Sequence, residues 1–271
     1  MDKPKQIHTA QFPSLTYRKM GQGPVLMLVH GFPESNELWR EVCDSLSMKY
    51  TLLIPDLPGA GGSTFKGEGV SVEGMAESMN EILIAEDIER AVIAGHSMGG
   101  YTALAFAEKY PGKLKGLSLV HSFAGADTEE KKETRRKSIA LMEKDKGKET
   151  FIRQMIPNLF SEAFKEKHPE VLELETENAL RLETKAMVSF YNAMINRPDR
   201  AKVLQDAAFP VQIVIGKEDK AIPIDVAAQQ STLSRRTFVE IYTDCAHMGM
   251  LEQPQQLTRD LEEFTEFCYR R

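Results

Sequence analysis

Cysteine is scarce in this chain: three among 271 residues, Cys43, Cys245 and Cys268, an odd number without the close spacing of a metal site. Neither a disulfide framework nor a structural zinc is expected, and a reducing compartment, the cytoplasm, fits that usage. Positive charge is not in excess either. Lys and Arg number 34 against 40 Asp and Glu, a formal net charge of −6, so no electrostatic footprint for nucleic acid and no polybasic patch for a membrane is present. No apolar run approaches the roughly 20 residues a membrane span needs, and Met1 to His8 lacks the apolar core of a signal peptide. Internal repeats and low-complexity tracts are absent. What is there is a 42% hydrophobic chain, long enough for one large α/β domain with sequence left over for an insertion. The partner that fits is a small molecule, neutral or weakly polar; no cofactor and no metal is expected, and oligomeric state is not encoded.

Two short antiparallel strands are predicted within Gln6 to Gln11 and Ser14 to Met20, then a wholly apolar strand, Val25 to Val29. A continuous apolar run is the mark of a strand covered on both faces. Asn36 is read as the cap of a helix over 37–48, followed by a strand at 50–54 and a Gly- and Pro-rich loop, Pro55 to Ser63. A helix over 72–85, an elbow strand at 92–94 and a strand at 114–120 come next. From Ser122 to about Arg200 charge becomes dense, glycine nearly vanishes, and apolar residues recur at helical spacing, with Phe151, Met155, Leu159 and Phe160 on one stripe and Met187, Val188, Tyr191, Met194 and Ile195 on another. This is a helical insertion. Strands resume at 211–215 and 237–242, and an amphipathic helix over 254–268 closes the chain. The reading is a doubly wound, mostly parallel sheet: residues 1–121 and 201–271 form the core, and residues 122–200 a helical lid.

Val92-Ile93-Ala94-Gly95-His96-Ser97-Met98-Gly99-Gly100 places a serine between an apolar strand and a helix start. In Gly-x-Ser-x-Gly the glycines let strand and helix approach closely, and the strained turn lifts the hydroxyl clear of the sheet. The Met98 N–H, at a helix N-terminus, points toward negative charge forming near Ser97. A serine hydroxyl needs a base within hydrogen-bond reach, and the base needs a carboxylate to fix its tautomer. His247 follows the last predicted strand and Asp219 the one before it. Glu218, Asp244 and Asp127 are competing carboxylates. His30 and His96 read as structural, and Glu252 as a buried hydrogen-bond partner or a helix-start acid.

With His30-Gly31-Phe32-Pro33, Asp56-Leu57-Pro58-Gly59, Gly95 to Gly100, Gly216 to Asp219 and Ala246-His247 in place, the sequence from about Val25 onward resembles the α/β-hydrolase superfamily. The resemblance implies Ser97 as nucleophile, Asp219 as acid, His247 as base, and the backbone N–H groups of Phe32 and Met98 as the oxyanion hole. His30 to Ser35 is also similar to epoxide hydrolases and haloalkane dehalogenases, which attack with aspartate. Serine at the elbow argues against both, since an alkyl ether on serine has no hydrolytic exit. Many relatives have glycine where Ala246 stands.

The expected activity is cleavage of a small to medium, mostly apolar and uncharged ester through an acyl-enzyme, with Phe32, His121 and Met248 lining the pocket. Lactone opening, C–C bond hydrolysis, perhydrolysis and acyl transfer use the same triad, and a slow-turnover receptor on this fold is the alternative of a different class.

Overall fold

The computed structural model describes residues 4–67 and 69–270; residues 1–3, at the head of the N-terminal stretch discussed above, Glu68 and Arg271 lie outside the described residues. Eight strands build one sheet. β1 (Lys5–Ile7) and β2 (Leu15–Met20) are antiparallel to each other, and β2 is antiparallel to β4. The rest is parallel: β3 (Val25–Val29), β4 (Thr51–Pro55), β5 (Ala91–His96), β6 (Leu114–Val120), β7 (Val211–Gly216) and β8 (Thr237–Tyr242). Their spatial order is β1-β2-β4-β3-β5-β6-β7-β8. β3 and β5 lie together in the middle, with Met27 opposite Ile93 and Val29 opposite Gly95. Leu26 to Val29 and Ala91 to Ala94 are 0% exposed, as their unbroken apolar runs require.

Helices α1 (Arg40–Ser47), α2 (Val72–Ala85) and α3 (Met98–Lys109) connect the first parallel strands. α1 begins later than predicted. Ser35, not Asn36, accepts the Glu37 N–H, and a 3-10 turn over Asn36–Trp39 precedes the helix. Asn36 lies inside that turn, where its own N–H is held by Asp56 Oδ1 at 2.8 Å. Between β6 and β7 come α4 (Glu129–Met142), α5 (Gly147–Met155), α6 (Glu162–Lys167), α7 (Pro169–Leu180) and α8 (Thr184–Asn196), with α9 (Ala201–Gln205) leading back to the sheet. α10 (Ile224–Gln229), α11 (Gly249–Glu252) and α12 (Pro254–Tyr269) complete the chain. α1 packs with α12 and α2 with α3, one pair to each face of the sheet.

The insertion between β6 and β7 is bound to the rest at several points. Arg40 pairs with Glu175 of α7 at 2.8 Å, the Leu159 carbonyl accepts the His247 N–H at 2.9 Å, and the Ser161 N–H donates to Glu252 Oε2 at 2.9 Å. Among the described residues no helix is long and apolar enough to cross a membrane.

The junction of β5 and α3 is the tightest place in the fold. A Cβ on Gly99 would collide with the carbonyl oxygens of Val29 and His30, and one on Gly95 with the Gly99 backbone. Backbone cannot yield as a flexible side chain can. Gly99→Ala is therefore expected to cost about 2–4 kcal/mol, lowering Tm by roughly 5 °C or more in differential scanning calorimetry. Gly112→Ala, where a Cβ meets nothing within 4 Å, should leave Tm within about 1 °C.

Candidate active site

Ser97 sits between β5 and α3 with φ 49° and ψ −114°, a conformation costly to an L-residue by about 1–3 kcal/mol and held only by its surroundings. Its N–H donates to Val120 O at 3.0 Å, and its carbonyl accepts from Gly100 N at 2.9 Å and from Ser122 Oγ at 2.8 Å. Within the stretch from Ala91 to Gly100, Ser97 alone is not buried.

The loops after β7 and β8 bring an acid to a base. His247 Nδ1 donates to Asp219 Oδ2 at 2.7 Å, while Asp219 Oδ1 accepts the N–H groups of Ala221 and Ile222 at 2.8 and 2.9 Å. Burial works against the Asp219 carboxylate, but His247 beside it holds its pKa below the ordinary value. Burial likewise pulls His247 down, and the Asp219 charge prevails and holds it above its ordinary value. The competing carboxylates stand elsewhere. Asp127 pairs with Arg135 Nε at 2.7 Å and Arg197 Nη1 at 3.0 Å; Asp244 is exposed beside Thr243. Glu218 is exposed as well.

Ser97 and His247 line one cavity of about 530 Å³. Its apolar wall includes Phe32, Tyr101, Met155, Leu159, Tyr191 and Met194, four of them from the insertion. The Phe32 ring, 8% exposed, packs edge-on against Tyr191 at 4.7 Å between centroids. Two residues expected in the pocket do not line it. Met248 is 1% exposed, and its N–H is held by Glu252; His121 lies against Asp219 at 3.8 Å, its backbone turned to φ 48°. Nor is the lining apolar throughout, since Asp127, Lys131, Arg135 and Lys220 also contribute. A second cleft of about 560 Å³, between the loop after β4 and the start of α8, contains neither Ser97 nor His247.

Beneath the serine lies a contact absent from the sequence reading. His96 Nε2 faces the His247 carbonyl at 2.9 Å, and His96 Nδ1 faces Glu34 Oε2 at 3.0 Å, which also accepts the Gly31 N–H at 2.7 Å. A carbonyl only accepts, so Nε2 carries a proton, while Nδ1 meets the Glu34 carboxylate. Burial opposes the Glu34 charge, yet His96 brings its pKa below the ordinary value. The pair joins the loop after β3, the turn at Ser97 and the His247 backbone. Its traces in the sequence are a histidine next to Ser97 and a carboxylate three residues after Gly31.

His30 and Glu252 hold backbone. The His30 ring bridges Gly31 O at 2.7 Å and the Leu57 N–H at 2.9 Å, and Glu252 Oε1 accepts the N–H groups of Ala246 and Met248 at 3.0 and 3.2 Å. Among the described residues, no three His, Cys, Asp or Glu side chains are placed to share a metal ion.

His121 is 2% exposed and neither ring nitrogen has a hydrogen-bond partner among the described residues. Burial depresses its pKa to about 3, against an opposing pull from Asp219 3.8 Å away. Between pH 6.5 and 3 the unfolded chain therefore binds a proton that the folded one refuses. Stability should fall by about 1.4 kcal/mol per pH unit from this group as pH drops through that window. Urea midpoints at pH 7, 5.5 and 4 should show a shallower decline for His121→Asn, a side chain that tolerates the left-handed backbone; parallel declines would remove His121 as the cause.

With this geometry in view, comparisons with known proteins align. Residues 24–154 match the family model described as the alpha/beta hydrolase fold. An uncharacterized Mycobacterium tuberculosis protein is 26% identical over 96% of this chain and 80% of its own length. Lipase 3 of Moraxella sp. is 26% identical over 89% of this chain and 77% of its own. The malate-bound structure of a thermophilic esterase from Thermogutta terrifontis superposes with TM-score 0.92 at 28% identity, covering 98% of this chain and 99% of that one. Sheet order, serine turn and these likenesses agree, and the chain belongs to the α/β-hydrolase superfamily.

Proposed function

We propose that this protein is a serine hydrolase that cleaves a small to medium carboxylic ester through an acyl-enzyme. The observation that carries the reading is the His247–Asp219 hydrogen bond of 2.7 Å at the wall of a cavity that Ser97 also lines. An esterase and a lipase among the similar proteins support it. Ser97 Oγ attacks the ester carbonyl while His247 takes its proton, and the carbonyl electron pair moves onto oxygen. The N–H groups of Phe32 and Met98 receive that oxyanion, each worth about 3–4 kcal/mol to the transition state. On collapse the alkoxide leaves with the proton from His247. Water, deprotonated by His247, then attacks the acyl-serine and releases the acid. Residues 122–200 act as the lid that shapes the acyl pocket, through Leu159, Tyr191 and Met194. Three buried free cysteines, Cys43, Cys245 and Cys268, support a cytoplasmic setting.

The base must be neutral to act, so kcat/KM rises with pH through the free-enzyme pKa of His247. Because that pKa is raised by Asp219, the acidic limb should lie above pH 6.5. Asp219→Asn should lower kcat/KM on p-nitrophenyl esters by about 10³–10⁴ and move the limb downward, burial then acting unopposed. An unmoved limb would separate Asp219 from His247 titration. Ser97→Ala should abolish both turnover and labelling by a fluorophosphonate probe. A wild type that neither labels nor turns over would overturn the hydrolase reading in favour of a receptor.

A further inference from the structure

The charged part of the cavity lining comes mainly from α4. Its sequence, Glu129-Glu130-Lys131-Lys132-Glu133-Thr134-Arg135, looks like a solvated face, but Lys131 and Arg135, one turn apart, face the cavity that holds Ser97. Thr128 caps the helix by accepting the Lys131 N–H, which fixes where that turn begins. Behind them Arg197, 3% exposed, is tied to the Met194 and Gly125 carbonyls at 2.8 and 3.0 Å and stacks on Tyr101 at 3.9 Å.

These cations outnumber their counter-charge. Asp127 is the carboxylate between Arg135 and Arg197, and both pairs are close, at 2.7 and 3.0 Å. Lys131 has no such partner. Among the described residues its ammonium donates one hydrogen bond, to the Ala221 carbonyl at 3.0 Å, and no carboxylate lies within ion-pair distance. Counting Asp219, which is engaged with His247, three cations still face two carboxylates. Burial and the repulsion of Arg135 both depress the Lys131 pKa, so its charged state is one that an incoming anion would relieve.

Resting on the serine-hydrolase reading above, we infer that the substrate is an ester that also carries a carboxylate, with the apolar stretch of the molecule against Phe32, Tyr191 and Met194 and the carboxylate on Lys131. Held by the Ala221 carbonyl at 3.0 Å and lying over the Phe123 ring at 5.9 Å, the ammonium still has hydrogen-bond capacity for one carboxylate. The apolar side chains that line the same cavity, Phe32, Tyr191 and Met194 among them, suit a short methylene chain between the ester and the carboxylate. Lys220, also at the cavity wall, is largely solvated and shared with Glu162 at 3.3 Å, so it adds attraction at the mouth rather than recognition. Such a substrate departs from the apolar, uncharged ester expected from the sequence.

The test separates binding from turnover. Monomethyl glutarate and O-acetylglycolate, which carry the carboxylate on the acyl and alcohol side respectively, are titrated calorimetrically into Ser97→Ala beside their neutral counterparts, dimethyl glutarate and methyl O-acetylglycolate. At least one anionic ester is expected to bind about tenfold or more tightly than its neutral counterpart. Lys131→Met should erase that ratio and Lys131→Arg should keep most of it. Equal binding of anionic and neutral forms, or a ratio that survives Lys131→Met, overturns the inference. A Lys131 that merely held the Ala221 loop would weaken both forms alike and leave the ratio standing. Fluorophosphonate labelling of the wild type, which is indifferent to substrate charge, reports on the hydrolase reading by itself.

Discussion

Everything in this molecule that bears on chemistry hangs from one backbone turn that a free peptide would not keep. Ser97 at φ 49° and ψ −114° is tolerable because β6 and the loop after it supply Val120 O and Ser122 Oγ as partners, and because glycine at 95 and 99 lets α3 start almost on top of β3 and β5, with Gly100 close against Ser122. The sheet's buried middle is what keeps those partners in place. In energetic terms, packing across the central strands sustains a local cost at the position where Ser97 borders the cavity.

Below that turn the structure places polar groups where an apolar core would be simpler. His96 and Glu34 form a buried polar bridge reaching both the loop that carries Phe32 and the backbone of His247. Such a pair is not an efficient way to gain stability. What it does is hold three loops from three different strands in one register, since shifting any of them leaves a buried donor or acceptor unmatched. Glu252 acts in the same way from the opposite side, with its two oxygens divided between the His247 loop and Ser161 of the insertion.

The sheet was legible in the sequence because its central strands are covered on both faces: Val25 to Val29 is apolar throughout and stands as β3 where the sequence puts it. The pairing of Asp219 with His247 was readable from position after consecutive strands. What could not be read were features decided by side-chain direction. His121 follows a strand as a pocket residue would, yet it lies against the acid on a left-handed backbone. Lys131 and Arg135 belong to a helix whose composition says solvent, and no hydropathy pattern tells which charged residues of such a helix face inward. Glu34 carries no motif of its own, because its role depends on a histidine 62 positions away.

Leu159 has two employments that use different atoms. Its side chain lines the cavity, while its carbonyl holds the backbone N–H of His247. Since the second contact is made by backbone, it is indifferent to which side chain the position carries. Substitution at 159 can therefore reshape the space above the serine while the histidine stays where it is, so long as the chain trace through that turn is kept. The insertion is in this sense anchored by its main chain and variable by its side chains, an arrangement under which the shape of the cavity can drift across descendants of one fold while Ser97 and His247 keep their places.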